Sequence, residues 1–380
     1  MVISIFKQFF LLGWVCFGGP AAHIGYFRRR FVDELQWVDE DRFGHTLALC
    51  QFLPGPASSQ LGFGIGYQKA GIVGAIAAFI GFTLPSFFIM YGLALLLKVD
   101  AWTSSEWVVT LISGLKLLAV VVVADAVLSM AKSFCNSLIH KAIAIGATAA
   151  LVLMPSVAVQ VGLLLTAAGI GYWQHSGVKL EQNISICFMP LILFLVVLLA
   201  LVMLPSSVNG ELLKQFYLSG TLVFGGGHVV LPLLQNGLSS YIDPQTFLSG
   251  YGFAQMVPGP MFTLSSFLGA SIWQGSALAG AVLATLFIFA PGFLLMLSVI
   301  NGWFTLANNQ KIKGIVGAVN ACVVGVLSAA WFNPVVTSAV NSISEIIIVT
   351  LGFLLLRLAK LNVFIVGIIL IALSLVIAQR

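Results

Sequence analysis

The sequence predicts an all-α polytopic membrane protein, made of two homologous and inverted repeats with discontinuous helices. Three observations predict this class: the composition, the recurrence of long apolar segments, and a set of motifs that occurs twice in the same order. Of the 380 residues, 60% are hydrophobic and only 8% are charged, whereas about 25% of the residues of a soluble domain are charged. The chain therefore has too few charges to cover a water-exposed surface.

Apolar segments near the roughly 20 residues that cross a bilayer recur along the whole chain, and they predict about 10–13 membrane segments. They lie near 4–20, 44–67, 71–97, 106–131, 138–154, 156–174, 186–204, 212–235, 247–270, 274–300, 314–332, 343–358 and 362–378. Their grouping divides the chain into an N-terminal repeat (1–175), a linker with one membrane segment (176–210) and a C-terminal repeat (211–380).

Several motifs occur in both halves in the same order and at a nearly constant separation. The first half contains Lys7-Gln8-Phe9, Phe17-Gly18-Gly19, Gln51-Phe52-Leu53-Pro54-Gly55-Pro56 and Pro85; the second contains Lys214-Gln215-Phe216, Phe224-Gly225-Gly226, Gln255-Met256-Val257-Pro258-Gly259-Pro260 and Pro291. Ordered matches of this kind indicate that one unit was duplicated.

The orientation of the two repeats follows from counting crossings. If each repeat crosses the membrane six times and the segment at 186–204 crosses once, the second repeat begins on the opposite side from the first. Inverted repeats are typical of secondary transporters. The count carries less weight if the glycine or proline breaks form re-entrant hairpins, and that alternative stays open at this point.

Each half contains two breaks in otherwise helical runs. Proline removes a backbone donor, and paired glycines lower helix propensity and let the backbone approach a ligand closely. Freed backbone groups are costly in hydrocarbon, so such breaks must be buried in protein or line a polar cavity. A single break is often only a kink. Breaks at matching positions of two repeats indicate a binding site near the middle of the membrane.

The half-helices that follow these breaks predict an anion site. Each helix N-terminus is equivalent to about half a positive charge, so four of them suit a small dianion. The candidate substrate-binding residues at the breaks are Gly18, Gly19, Gln51, Pro54, Gly55, Pro56, Ser58, Ser59 and Gln60, and then Gly225, Gly226, Gln255, Pro258, Gly259, Pro260 and Thr263, with Ser265 and Ser266 beside them. For any single hydroxyl, helix packing is the alternative role.

A few polar residues within the apolar segments are further candidates, because ionisable groups in a membrane are costly and usually functional. Lys116 could supply a fixed positive charge for the anion or could snorkel to the surface, and Asn320 occupies the corresponding place in the second half. His23, Asp125 and His228 are candidates for proton coupling. A hydrogen-bonded structural group is the alternative for each of these three.

Other functional classes lack the residues they would need. The five cysteines are isolated and do not form a CxxC pair, so no metal site or disulfide framework is expected. There is no nucleotide-binding loop and no nucleophile–base pair, so neither an enzyme nor a cofactor is expected. The net charge of +5 suggests membrane lipid headgroups or an anionic substrate as partners, and not nucleic acid. The segment Arg28–Arg42, which carries both signs of charge, is predicted at the membrane surface.

At its motifs the sequence resembles the chromate transporter family, in the long form with two domains. The resemblance lies in Phe17-Gly18-Gly19-Pro20, His23-Ile24-Gly25, the Gln51–Pro56 motif with Gln60 and Gly66-Tyr67, and Leu84-Pro85-Ser86; in the second half it lies in Phe224-Gly225-Gly226-Gly227-His228-Val229-Val230 and in Gln255–Pro260 with Thr263. The second half departs from the first with Gly227 in place of Pro20, and with Met256-Val257 in place of Phe52-Leu53.

The resemblance implies a multi-pass protein of the cytoplasmic membrane that exports chromate as a secondary active transporter, such as an antiporter. It also implies coupling to the proton motive force and resistance to chromate. Sulfate is a tetrahedral dianion of similar size, so transport of sulfate or another small oxyanion is an alternative. A non-transporting membrane sensor or scaffold is the alternative from another class, but it leaves the paired breaks unexplained. The sequence leaves the oligomeric state open, with a homodimer as one candidate.

Overall fold

The computed structural model describes residues 1–17, 19–98, 106–174, 186–203, 207–224, 227–302 and 309–378, and within these ranges its regular structure is helical. We number the helices α1 (Val2–Val15), α2 (Gly19–Arg28), α3 (Glu40–Phe52), α4 (Ala57–Leu96), α5 (Glu106–Phe134), α6 (Leu138–Leu153), α7 (Val157–Gln174), α8 (Phe188–Met203), α9 (Val208–Leu222), α10 (Val230–Leu238), α11 (Pro244–Met256), α12 (Leu264–Ile272), α13 (Ala277–Val299), α14 (Gln310–Ala330), α15 (Thr337–Ala339), α16 (Ile343–Arg357) and α17 (Val363–Ala378). The all-α prediction is confirmed.

Short polar side chains begin many of these helices. The side-chain oxygen of an Asp, Ser or Asn accepts a hydrogen bond from a backbone N–H of the first turn. That N–H has no carbonyl partner within the helix, so the side chain satisfies it. These N-cap residues are Asp39, Ser137, Ser207, Asp243, Ser276, Asn309 and Ser342.

Within the described residues, four helices are long and apolar enough to cross a membrane, namely Ala57–Leu96, Trp107–Phe134, Ala277–Val299 and Gln310–Ala339. The first is interrupted at Ala70–Gly71, where Gly71 has a φ of 59°. The chain reverses at this point, because residues 66 and 74 touch: a Cβ on Gly66 would collide with the Gly74 carbonyl oxygen. In a straight helix these two residues would be about 12 Å apart.

The first half begins with two helical hairpins. In the first, α2 folds back along α1, so that the Phe9 and Phe27 rings lie 5.5 Å apart. In the second, the beginning of α4 folds back along α3, and Gln68 Nε2 donates to Thr46 Oγ1 at 2.6 Å. The tip of the first hairpin is the Phe-Gly-Gly break and the tip of the second is the Pro-Gly-Pro break.

The second half repeats this arrangement. A Cβ on Gly237 of α10 would collide with Gln215 of α9, so α9 and α10 form the first hairpin. A Cβ on Gly250 of α11 would lie 2.5 Å from the Phe267 ring of α12, so these two helices form the second. The predicted segments 44–67 and 247–270 are therefore each a helix, a turn and a returning helix, which is the alternative that the sequence left open.

The long helix of the first half shows that the two halves are inverted. The part of α4 after Gly71 begins beside the open end of its own hairpin, where Gly74 touches Gly66. Halfway along, Ser86 lies against Gly259 at the tip of a second-half hairpin. Just beyond its end, Lys98 Nζ donates to the Ala270 carbonyl oxygen at 2.7 Å, near the open end of that hairpin. The two sets of hairpins therefore open to opposite sides.

Helix α13 of the second half makes the corresponding contacts in the same order, beginning at the open end of its own hairpin and ending along the hairpin of the first half. Gly280 touches Gly269 at its beginning, and Gly292 lies against Gly55 in its middle. Near its end, a Cβ on Gly64 would lie 2.6 Å from the Met296 methyl group. The contacts of α4 and α13 are thus related by a two-fold operation that exchanges the halves, as inverted repeats require.

The remaining helices exchange partners between the halves. Helix α5 packs against α16 and α17 of the second half, and α14 packs against α6 and α7 of the first. Helix α8, between the repeats, packs on α9 and α13, and Tyr217 Oη donates to the Phe194 carbonyl oxygen at 2.9 Å. Neither half could bury these faces alone, so the two repeats form one helical core.

Candidate substrate site at the helix breaks

The four breaks meet in two crosswise pairs. The Gly55 N–H donates to the Val223 carbonyl oxygen at 2.7 Å, and the Gly259 N–H donates to the Cys16 carbonyl oxygen at 2.9 Å. Cys16 and Val223 immediately precede the two Phe-Gly-Gly motifs. Each Pro-Gly-Pro tip is therefore bonded to the Phe-Gly-Gly tip of the opposite half.

Glycine is required at both Pro-Gly-Pro tips. Gly55 has a φ of 122° and Gly259 a φ of 99°. This backbone conformation is unfavourable for any residue that has a Cβ atom. A Cβ on Gly55 would lie 3.0 Å from the Gly292 Cα, and one on Gly259 would lie 2.8 Å from Ser86 Oγ. The backbone conformation disfavours a side chain at both tips, and the close neighbours would have to shift to admit one.

The tips lie near the middle of the membrane. Gly74 and Ser86 are 12 residues apart on α4, and so are Ser86 and Lys98; each interval spans about 18 Å of helix. The whole interval exceeds the hydrocarbon thickness of about 30 Å. Because Ser86 touches Gly259 at the halfway point, this tip is at mid-depth.

The first Pro-Gly-Pro tip is polar and buried. Gln60 is fully buried, and its Nε2 donates to the carbonyl oxygens of Pro54 at 2.9 Å and of Gly292 at 3.0 Å. Among the described residues, Ser59 Oγ and Gln60 Oε1 have no hydrogen-bond partner. Ser58 is also buried. This tip therefore contains buried polar atoms that are not paired in this conformation.

The hydroxyls at the second Pro-Gly-Pro tip are all paired with backbone oxygens. Thr263 donates to Pro260 at 2.8 Å, Ser265 to Phe262 at 2.7 Å, and Ser266 to Phe87 of the first half at 3.1 Å. Gly259 stands 204 residues after Gly55, and by the same separation the counterpart of Gln60 in the second half is Leu264, which has no polar side-chain atoms. The site is thus symmetric in its backbone and asymmetric in its side chains.

The two predicted histidines lie at different contacts. His23 is buried, and its Nε2 lies 3.2 Å from the Cys16 carbonyl oxygen, the same atom that accepts the Gly259 N–H. This bond requires the tautomer with the proton on Nε2. His228 Nδ1 lies 2.8 Å from Tyr251 Oη and 3.5 Å from Gln255 Nε2.

Several predicted residues lie outside this cluster. Lys116 bonds Gln245 at the beginning of α11, the opposite end of that helix from the Pro-Gly-Pro tip. Asp125 pairs with Arg357 at 2.5 Å. Asn320 is buried on α14 and its Oδ1 has no partner among the described residues. Gln51 is exposed at the end of α3. Gly19 lies at the tip of the first hairpin, where its φ is 76°. Gly18, Gly225 and Gly226 lie outside the described residues.

The described residues of the tips are packed against each other. Four cavities in the described part of the chain, of 490, 350, 260 and 200 Å³, are lined by residues outside the tips. The residues that close the tips were only partly predicted. Pro85 and Pro291 were recognised as a repeated pair, but the contacts of the following residues, Ser86 and Gly292, with the opposite tips were not.

Inverted repeats with paired helix breaks at mid-depth define a multi-pass protein with the architecture of a membrane transporter. Comparison with known families agrees: the family described as Chromate transporter matches residues 3–173 and 210–378. The chain therefore belongs to the chromate transporter family, and the resemblance noted in its motifs is confirmed.

Individual relatives match most of the chain. An uncharacterized transporter of Methanocaldococcus jannaschii is 29% identical over 370 residues, covering 93% of this chain and 89% of the relative. A probable chromate transport protein of Synechococcus elongatus is 29% identical over 341 residues, covering 85% and 82%. The chromate transport protein of Pseudomonas aeruginosa is 26% identical over 389 residues, covering 96% and 89%. No solved structure matches the chain significantly.

Proposed function

We propose that this protein exports chromate across the cytoplasmic membrane, driven by the proton motive force, and thereby confers resistance to chromate. Family membership supports the substrate, and two relatives that cover most of the chain are named chromate transport proteins. The observation that carries the mechanism is the crosswise pairing of the four tips. The substrate site, its residues and the division into 1–175, 176–210 and 211–380 are parts of the same proposal.

In this mechanism the anion competes with backbone carbonyl groups of the protein. The N–H groups of Gly55 and Gly259 now donate to Val223 and Cys16. A dianion between the tips would accept hydrogen bonds from these N–H groups instead. The unpaired Ser59 hydroxyl could donate a further hydrogen bond to it. Binding would then separate the tips. Because the halves are inverted, separating one crosswise pair opens a path to one side and separating the other opens the opposite path.

Lys116 and Asn320 have a separate place in this proposal. Both lie on helices that pack against the other half, α5 and α14. Lys116 is half-buried at the outer end of α11. A positive charge there would attract the anion along its path rather than hold it at the tips.

Transport of labelled chromate into inverted membrane vesicles tests the proposed function. We expect uptake that requires this protein, that falls when the proton gradient is collapsed, and that excess sulfate inhibits only partly. Uptake that is unchanged after the gradient is collapsed would exclude proton coupling. Robust uptake of sulfate without any uptake of chromate would show that the transported substrate is sulfate and not chromate.

We expect His23 to carry the coupling proton, because it bonds the carbonyl oxygen that also holds Gly259. In His23→Gln the amide still donates to Cys16 but cannot take up a proton. Chromate uptake should become independent of the gradient and fall about tenfold, since losing about 1.4 kcal/mol of driving interaction has this effect. The control is Asp125→Asn, because Asp125 is already paired with Arg357. The assignment is wrong if Asp125→Asn loses the gradient dependence and His23→Gln keeps it.

A further inference from the structure

A groove of 490 Å³ lies along the first hairpin, away from the crosswise tips. It is lined by Gln8, Leu11, Leu12, Trp14, Val15, Tyr26, Arg29, Arg30 and Glu34. These residues belong to α1, to α2 and to the π-helical turn Arg29–Glu34 that follows α2. The groove therefore follows the hairpin from its open end toward its tip.

The groove changes from charged to apolar along its length. Arg29, Arg30 and Glu34 lie at the open end of the hairpin, and Trp14 and Val15 lie next to its tip. From Gln8 to Val15 the helix rises about 10 Å. Leu11, Trp14 and Val15 are each about half exposed. Because the tip is at mid-depth, the charged end is at the membrane surface and the apolar end is within the hydrocarbon.

The lining of the groove places two arginines beside one carboxylate. Glu34 accepts from Arg29 Nε at 3.0 Å and from Arg30 Nη1 at 2.5 Å, and Arg30 also donates to Gln8. The hydrogen bond from Arg30 holds the pKa of the Glu34 carboxyl below its ordinary value, so Glu34 is ionised. Arg28 is paired separately, with Asp33 and Glu40. Two guanidinium groups and one carboxylate thus face the groove.

The hairpin does not need these arginines in order to form. In the second half Gln215 stands 207 residues after Gln8, and its neighbour across the hairpin is Gly237, whereas the neighbour of Gln8 is Arg30. There Gln215 packs directly against Gly237. The same hairpin forms with no arginine at its open end, so the arginines of the first half are not required for it.

We propose that this groove binds one anionic phospholipid. The monoanionic phosphodiester of its headgroup would lie between Arg29 and Arg30, since guanidinium groups bind phosphate oxygens by paired hydrogen bonds. One acyl chain would descend along Leu11, Trp14 and Val15. The two guanidinium groups of the lining favour an anionic headgroup, because a zwitterionic headgroup would bring its own cation next to them.

Native mass spectrometry of the purified protein tests this site, with phosphatidylglycerol and phosphatidylcholine of identical acyl chains. We expect the wild type to retain phosphatidylglycerol preferentially. Arg29→Gln should reduce that binding about fivefold, the effect of one basic residue near an anionic surface. Glu34→Gln should increase it, because it adds one net positive charge. Arg42→Gln is the matched control: Arg42 is similarly exposed but pairs with Asp39 outside the groove.

A second variant separates a lipid from a free phosphate ion. Val15→Trp fills the apolar end without changing any charge, so it should also reduce phosphatidylglycerol binding. Unchanged lipid binding in Val15→Trp would show that only the headgroup region binds, and the lipid proposal would fail. It would also fail if both lipids were retained equally, or if Arg29→Gln and Arg42→Gln had the same effect.

Discussion

Replacing Gly55 by leucine is expected to abolish chromate transport, by at least about 100-fold, while the protein still inserts into the membrane. Gly55 has a φ of 122° and touches Gly292 of the opposite half, so a side chain there must push the tips apart. The displaced N–H would lose its acceptor, the Val223 carbonyl. A loss of about 2.7 kcal/mol at this contact reduces a rate by about 100-fold. The measurement is chromate uptake into vesicles that contain equal amounts of protein.

Gly275→Leu is the matched control for this variant. Gly275 also has a positive φ, 110°, but a Cβ there would meet no atom within 4 Å. Both variants strain the backbone, whereas only Gly55→Leu disturbs a tip. If Gly275→Leu reduced uptake as strongly as Gly55→Leu, backbone strain alone would explain the loss. If neither variant reduced uptake, the proposed site would be wrong.

Gln60→Leu is expected to lower both the stability of the protein and its transport rate. The amide of Gln60 joins the Pro54 carbonyl of its own half to the Gly292 carbonyl of the other. Leucine removes both hydrogen bonds, at a cost of about 1–3 kcal/mol in the free energy of unfolding. Leucine is compatible with a helix at this place, since Leu264 stands there in the second half. Thermal unfolding in detergent and vesicle uptake measure the two effects.

Gln235→Leu provides the comparison. Gln235 is also buried, but among the described residues neither its Nε2 nor its Oε1 has a hydrogen-bond partner. Its replacement therefore removes no hydrogen bond and should not lower the unfolding temperature. Equal destabilisation by the two substitutions would mean that the contacts of Gln60 contribute nothing specific.

The sequence was sufficient to predict the class, the duplication and the breaks. Sixty per cent hydrophobic residues exclude a soluble surface. The Gly55 and Gly259 motifs could be recognised because proline and glycine affect the local backbone whatever surrounds them. The breaks were expected to come together, and the structure brings them together, in pairs that the sequence did not specify.

Other features depended on contacts between residues far apart in the chain. Apolar composition shows that a segment avoids water, but it does not show whether the segment crosses or turns back. Residues 44–67 therefore read as one membrane segment, although Gln68 folds back onto Thr46. The partners of Lys116 and Asp125 lie 129 and 232 residues away, so spacing along one helix could not indicate them.

The sequence by itself determined that this is a membrane protein of two repeats with matching breaks, because composition and backbone propensity are properties of local residues. The tertiary structure decided that the repeats interlock, that each tip bonds the opposite half, and that His23, rather than Lys116, lies at the crossing. Those results depend on which surfaces are buried against each other, and that is settled only when the whole chain packs.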